Sequence, residues 1–239
     1  MDPYLHLPHL RGRIWPAEQC GLRLTPAGLA LWDLRAREIG HAPDWRLSDE
    51  AREADRRALL GQRDASHDLW IYAYGSLMWD PGIHFAEVRL AELAGHQRRF
   101  TLQLKLGRGS PERPGLVLAL EVQAGACTGL AFRLPAHSVE EETTFLWRRE
   151  MLRGGYRPLL LSMRTPQGEI EALAFSANHE HAEHTPERTI AETAAVIAQA
   201  RGVLGSNRDY LEQLAAQLAA LGIEDPYVSE LLRHLPAQA

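Results

Sequence analysis

Cysteine is scarce: the 239-residue chain holds two, Cys20 and Cys127, far apart and outside any C-x-x-C pattern. That excludes a disulfide scaffold and a cysteine-based zinc site, and leaves each thiol as a small buried hydrophobe. No run of about 18–20 apolar residues occurs, so no segment is expected to span a membrane. Residues 1–15 lack the apolar centre of a secretory signal, which predicts a cytoplasmic protein. Excess positive charge is also missing. Lys and Arg number 26 against 31 Asp and Glu, for a net charge of −5, so nothing favours a nucleic-acid partner held through its phosphates. Glycine (19) and proline (14) are near ordinary usage, which excludes collagen-like and broadly disordered classes. No internal repeat is found. The phosphate-loop signature G-x-x-x-x-G-K-[ST] and the nucleophile elbow G-x-S-x-G are both absent.

What is present divides the chain into an extension, residues 1–67, and a main domain, residues 68–239. A chain of this length can bury a substantial core without staples. The extension is interrupted by Pro3, Pro8, Pro16, Pro26 and Pro43 and reads as an irregular arm ending in one short helix capped by Ser48. It is expected to pack on or near the main domain. From residue 68 to about 177, seven strands are predicted, at 69–74, 87–93, 99–106, 116–122, 128–134, 158–164 and 169–175. They suggest an α+β fold: a mostly antiparallel sheet curled towards a barrel, with flanking helices. One helix interrupts the strands. Ser138 and Glu141 fit a capping box, and the helix runs to about residue 152 before Gly154-Gly155. After residue 185 the pattern is helical: Thr185-Pro186 opens one helix, Asn207 caps a second carrying the stripe Tyr210, Leu211, Leu214 and Leu218, and a third starts near Pro226.

Four segments bear on chemistry. Gly107-Arg108-Gly109-Ser110 lacks the third glycine of a dinucleotide fingerprint and remains an ordered turn of unassigned role. In His179-Glu180-His181-Ala182-Glu183-His184, Glu183 stands where H-E-x-x-H needs histidine, so the segment reads as a solvated loop rather than a metal site. Tyr72-Ala73-Tyr74-Gly75-Ser76-Leu77 brings a buried strand into an open turn. Its successive amides and the serine hydroxyl form either an ordinary turn or a cradle for a carboxylate or oxyanion. Glu150 falls near the apolar face of the predicted helix, flanked by Leu146, Trp147 and Met151. It is either a satisfied structural acid or, with burial disfavouring its charge, a general acid/base.

Taken in order, these blocks resemble one family. Tyr74-Gly75-Ser76-Leu77-Met78-Trp79, Gly95-His96-Gln97-Arg98-Arg99-Phe100, the Gly107–Ser110 turn and Thr128-Gly129-Leu130 carry the likeness. So do Arg149-Glu150-Met151 with Gly154-Gly155-Tyr156, and Gly205-Ser206-Asn207 with Tyr210-Leu211. Over about residues 68–235 the chain resembles the ChaC-like γ-glutamylcyclotransferases, which act specifically on glutathione. The resemblance implies the γ-glutamylcyclotransferase-like fold and release of 5-oxoproline and cysteinylglycine, with no metal or cofactor. It implies Glu150 as general acid/base, substrate held by Ala73, Tyr74, Gly75, Ser76 and Leu77 with Tyr72, and a contact from Tyr210. Ala73 departs from the family's usual glycine before Tyr-Gly-Ser, and Leu116 from the arginine that commonly follows Pro-Gly. Glutathione is the expected partner, and the expected state is a monomer. A cyclotransferase of another γ-glutamyl compound, or a non-catalytic γ-glutamyl-binding module, stays as an alternative.

Overall fold

The computed structural model describes residues 2–236. The run Leu-Trp-Ile-Tyr-Ala forms the first strand, β1 (Leu69–Ala73), with all but Trp70 fully buried. Four longer strands follow: β2 (Glu87–Leu104), β3 (Gly115–Leu134), β4 (Tyr156–Thr165) and β5 (Gly168–Ala177). They close into a barrel in the order β1-β3-β2-β4-β5. All neighbours in that order run antiparallel, and β1 closes against β5 in parallel, Ile71 opposite Leu173. The α+β barrel with flanking helices is as expected, but the strand count is not. The segments at 87–93 and 99–106 belong to one strand, which ends at Leu104, and those at 116–122 and 128–134 belong to another. Register shifts between Ala94 and His96 and between Phe100 and Leu102 absorb the irregularity. Gly95, at φ 71°, takes the left-handed conformation within the first of these shifts, so a glycine that looked like a break bends a continuous strand.

The extension holds more structure than an irregular arm. Helix α1 (Pro26–Glu38) begins at Thr25, whose hydroxyl accepts from the Gly28 amide, with Pro26 at the first helical position. That proline starts a helix instead of interrupting one. Helix α2 (Asp49–Leu60) is capped by Ser48, as expected. Leu10 and Ile14 are buried in the same apolar cluster as the barrel, and the Trp15 amide donates to the Trp79 carbonyl at 2.8 Å. Arg23 grips the buried Glu142 carboxylate at 2.5 and 3.1 Å, and Trp147 Nε1 donates to Asp55 at 2.7 Å.

The main-domain helices differ from expectation chiefly at their caps. Helix α3 (Val139–Glu150) carries no capping box, because a tight turn from Pro135 already puts Ser138 in helical conformation and its hydroxyl donates back to Pro135. Helix α4 (Ile190–Gln199) starts at the Thr189/Glu192 capping box rather than at Thr185. Thr185 is diverted, its amide and hydroxyl both donating to the Thr101 carbonyl of β2. A two-residue hairpin, β6 (Arg201–Gly202) and β7 (Gly205–Ser206), leads into α5 (Asn207–Ala220). Its cap is Ser206, paired with Asp209; Asn207 instead clamps the backbone of Leu116 at 2.6 and 2.7 Å. The stripe Tyr210, Leu211, Leu214 and Leu218 is buried against the barrel as expected, and α6 (Pro226–His234) closes the described chain. Among the described residues no helix is long and apolar enough to cross a membrane.

Candidate active site

Strand β1 ends at Ala73 and delivers Tyr74-Gly75-Ser76 into a single tight helical turn, Ser76–Met78. The turn closes on itself: Met78 donates to Gly75, and Trp79 and Asp80 both donate to the Ser76 carbonyl. Among the described residues the amides of Gly75, Ser76 and Leu77 have no such partner, and of the three residues Ser76 lines the cavity described below. Long-range bonds hold the turn in place. Arg98, almost fully buried, donates to the Tyr74 carbonyl at 2.9 Å, Gln217 of α5 donates to the Met78 carbonyl at 3.0 Å, and Tyr74 donates its hydroxyl to Phe175 at 2.6 Å. Space is tight at Gly75, since a methyl there would stand 3.1 Å from the Tyr210 hydroxyl and 3.4 Å from Leu118, and those side chains would have to give by a few tenths of an ångström.

Glu150 is the last residue of α3 and its side chain is 13% exposed. Arg149 binds it and the turn together. Its Nε lies 2.9 Å from Glu150 Oε1, its Nη2 donates to Ser76 Oγ at 3.0 Å, and its Nη1 donates to the Asp80 carbonyl at 2.6 Å. Burial pushes the Glu150 carboxyl above the ordinary carboxylate value; Arg149 opposes this and the Asp80 charge adds to it. The result is a fixed carboxylate with a raised proton affinity, as proton transfer near neutral pH requires. Burial also raises Tyr210, to about 12, with the Glu150 charge adding to it, so its phenol is a neutral donor. Asp80 completes the charge set, its Oδ1 buried without a hydrogen-bond partner.

These groups line one cavity of about 220 Å³. Of the residues expected from sequence, Ser76, Glu150 and Tyr210 meet there. Gly75 lies under Tyr210. Tyr72 sits in the core with its hydroxyl on the Cys127 carbonyl at 2.6 Å, and Ala73, Tyr74 and Leu77 are buried in the same core. The cavity also takes residues to which sequence reasoning gave no role: Arg149, Asp80 and Tyr156, and from the extension Trp15, Trp32 and Trp45. Arg149 and Tyr156 lie inside the family-like motifs, beside Glu150 and after Gly154-Gly155, and that adjacency is the signal the sequence offers for them. The Gly107–Ser110 turn reaches the cavity through Gly107 and Arg108.

The histidine segment is not a free loop. His184 forms a bridge with Leu102 of β2, and Glu121 accepts both His179 at 2.7 Å and His184 at 3.0 Å. This trio brings its ligand atoms within 4.8 Å of one another. Thr101 also donates to Glu121, so a carboxylate bridging two imidazoles fastens the segment to the barrel.

Residues 69–238 match the model of the family described as ChaC-like protein. The chain belongs to the ChaC-like family. Its similarity extends to the glutathione-specific gamma-glutamylcyclotransferase of Escherichia coli K12, 39% identical over 77% of this chain and 80% of that protein. The glutathione-specific gamma-glutamylcyclotransferase 1 of Danio rerio is 31% identical over 67% of this chain and 85% of that one. The crystal structure of a glutathione-specific γ-glutamyl cyclotransferase from yeast matches with a TM-score of 0.63 at 22% identity, covering 71% of this ChaC-like chain and 98% of the yeast one. At that identity the likeness establishes the common fold.

Proposed function

We propose that this ChaC-like protein is a glutathione-specific γ-glutamylcyclotransferase that releases 5-oxoproline and cysteinylglycine. The observation that carries the reading is Glu150, a buried carboxylate of raised proton affinity that Arg149 ties to a turn with three unpartnered amides. The activity named for the Escherichia coli relative supports the choice of substrate.

The γ-glutamyl end enters with its γ-carbonyl oxygen facing the amides of Gly75, Ser76 and Leu77. Asp80 Oδ1 and Glu150 receive the α-ammonium, and Tyr210 offers its phenol from α5. Tyr72, Ala73 and Tyr74 support the turn from beneath. Glu150 takes a proton from the ammonium, and the freed amine attacks its own γ-carbonyl. A five-membered ring closes while the turn amides stabilise the oxyanion. The bond to the cysteinyl nitrogen then breaks. The two protons lost by the attacking nitrogen end on the departing one, so no water is consumed and no net proton is released. Nucleophile and electrophile lie in one molecule, and effective molarities of roughly 10⁵–10⁸ M reward such positioning without a cofactor.

We take the protein to act as a cytoplasmic monomer. Cys20 and Cys127 are both free and buried, as suits a reducing compartment, and α5 buries its apolar stripe against its own barrel. A mass-spectrometric panel of reduced glutathione, oxidised glutathione, γ-Glu-Ala and γ-Glu-ε-Lys tests the assignment. Turnover of reduced glutathione alone is expected. Turnover of another member instead would move the substrate, and silence across the panel would end the enzymatic reading.

A further inference from the structure

The leaving half of the substrate, cysteinylglycine, ends in a carboxylate for which the steps above name no partner. The cavity that holds Glu150 is also walled by Leu24, Trp32 and Trp45 of the amino-terminal extension. Arg153 belongs to that side: its guanidinium carbon lies 5.7 Å from the centre of the Trp45 ring. Nε is 2.5 Å from Glu183 Oε1, yet Nη1 is buried and has no hydrogen-bond partner among the described residues. A buried cationic donor without an acceptor is costly, and one that lines a cavity is open to an acceptor supplied by a ligand.

The other two guanidinium groups of the cavity lie against Ser76 and Tyr210. Arg149 is committed to Ser76, Asp80 and Glu150. Arg108 lies over Tyr210, 5.7 Å from its ring centre, and donates Nη1 to Ser206. Since the Tyr210 hydroxyl stands against Gly75, Arg108 falls at the γ-glutamyl end. Arg153 stands beside Trp45, on the wall of the cavity that the extension supplies.

Resting on the assignment of glutathione as substrate, we propose that Arg153 binds the glycyl carboxylate of the leaving dipeptide, in a subsite whose outer wall is built by the extension. The guanidinium, on a side chain 24% exposed, presents Nη1 to one carboxylate oxygen, and the tryptophan and leucine side chains shield the pair in part and strengthen it. The site thereby selects γ-glutamyl peptides with a free carboxyl terminus over γ-glutamyl amines that lack one.

The test compares glutathione with its glycyl monoethyl ester, using the full-length protein and the Arg153→Met and Arg153→Lys variants. For the wild type, esterification should raise KM by roughly ten- to a hundredfold with little change in kcat, the range of a charge-assisted hydrogen bond. Arg153→Met should raise KM for glutathione by a similar factor and abolish the distinction between acid and ester. Arg153→Lys should restore part of it. A wild type that treats acid and ester alike would overturn the proposal without any question of misfolding, and so would a folded Arg153→Met protein that still prefers the acid. Calorimetric titration with cysteinylglycine reads the subsite independently of turnover. Binding to the wild type that Arg153→Met loses would uphold the subsite even if glutathione were not turned over, whereas equal binding to both, or none to the wild type, would overturn it.

Discussion

Replacing Glu150 with glutamine changes little but charge, which makes it the most informative single substitution. The amide oxygen can still accept from Arg149 Nε, now 2.9 Å away, and Arg149 keeps its bonds to Ser76 and Asp80. The turn should therefore hold its shape while the base is lost. Loss of a positioned general base lowers rates by about 10²–10⁴-fold, and that drop is expected in kcat for glutathione, read as 5-oxoproline release. Direction with pH follows from the same carboxyl. Burial raises it above its ordinary value of 4.5, and the ionised form is the one that accepts the proton. Wild-type activity should thus fall on acidification with a midpoint above the ordinary carboxylate range, while the residual activity of Glu150→Gln should show no such step. Stability carries the opposite sign. A carboxyl whose folded value is raised favours the fold most while protonated and loses that contribution as pH rises through the raised value. From acid to neutral pH the Tm difference should therefore move in favour of Glu150→Gln. A folded Glu150→Gln protein with near wild-type kcat would refute the reasoning.

Two further outcomes concern the extension. His84 accepts or donates between Glu18 at 2.7 Å and Glu142 at 2.8 Å, and these two partners, Glu18 first, raise its pKa above 6.5. Its contribution is full below the unfolded value and is lost as pH rises through the raised one, so calorimetry with pH rising from the ordinary value of 6.5 should show a fall in Tm that His84→Gln largely removes. Deleting residues 1–67 should abolish cooperative folding. It takes away Leu10 and Ile14, each worth roughly 1.5–3 kcal/mol when buried. It also strands the buried Glu142 without Arg23, at about 3–5 kcal/mol for breaking such a pair. Together these losses approach the whole stability of a typical domain, about 5–15 kcal/mol. Near-UV circular dichroism and activity unchanged by the deletion would contradict this.

Local signals in the sequence were read correctly where local physics decides the outcome. The run of β1, the Ser48 cap, the stripe on α5 and the burial of Glu150 all follow from neighbours within a few residues. The failures involve distant groups. Thr185 fits a helix cap as well as Thr189 does, but the Thr101 carbonyl captures it. Asn207 fits one as well as Ser206 does, but Leu116 captures it across 91 positions. The two long strands looked like four because Gly95 and the polar residues around Gly125 resemble turns until the partner strand continues the ladder past them. At the site, Glu150 and the turn were legible as motifs. Arg149, which joins them, was not assigned a role, because its three contacts converge only in the folded chain. The tryptophans of the extension were invisible for the same reason: Trp45 and Glu150 are more than a hundred positions apart and meet only around the cavity.

The central claim is an intramolecular cyclisation, and water labelled with heavy oxygen tests it directly. Glutathione is incubated with the protein in labelled water and the products are resolved by mass spectrometry. The account predicts equal amounts of 5-oxoproline and cysteinylglycine with no label in either beyond that exchanged in protein-free controls. Glutamate bearing the label in its γ-carboxyl group would instead show hydrolysis by an attacking water and would contradict the account.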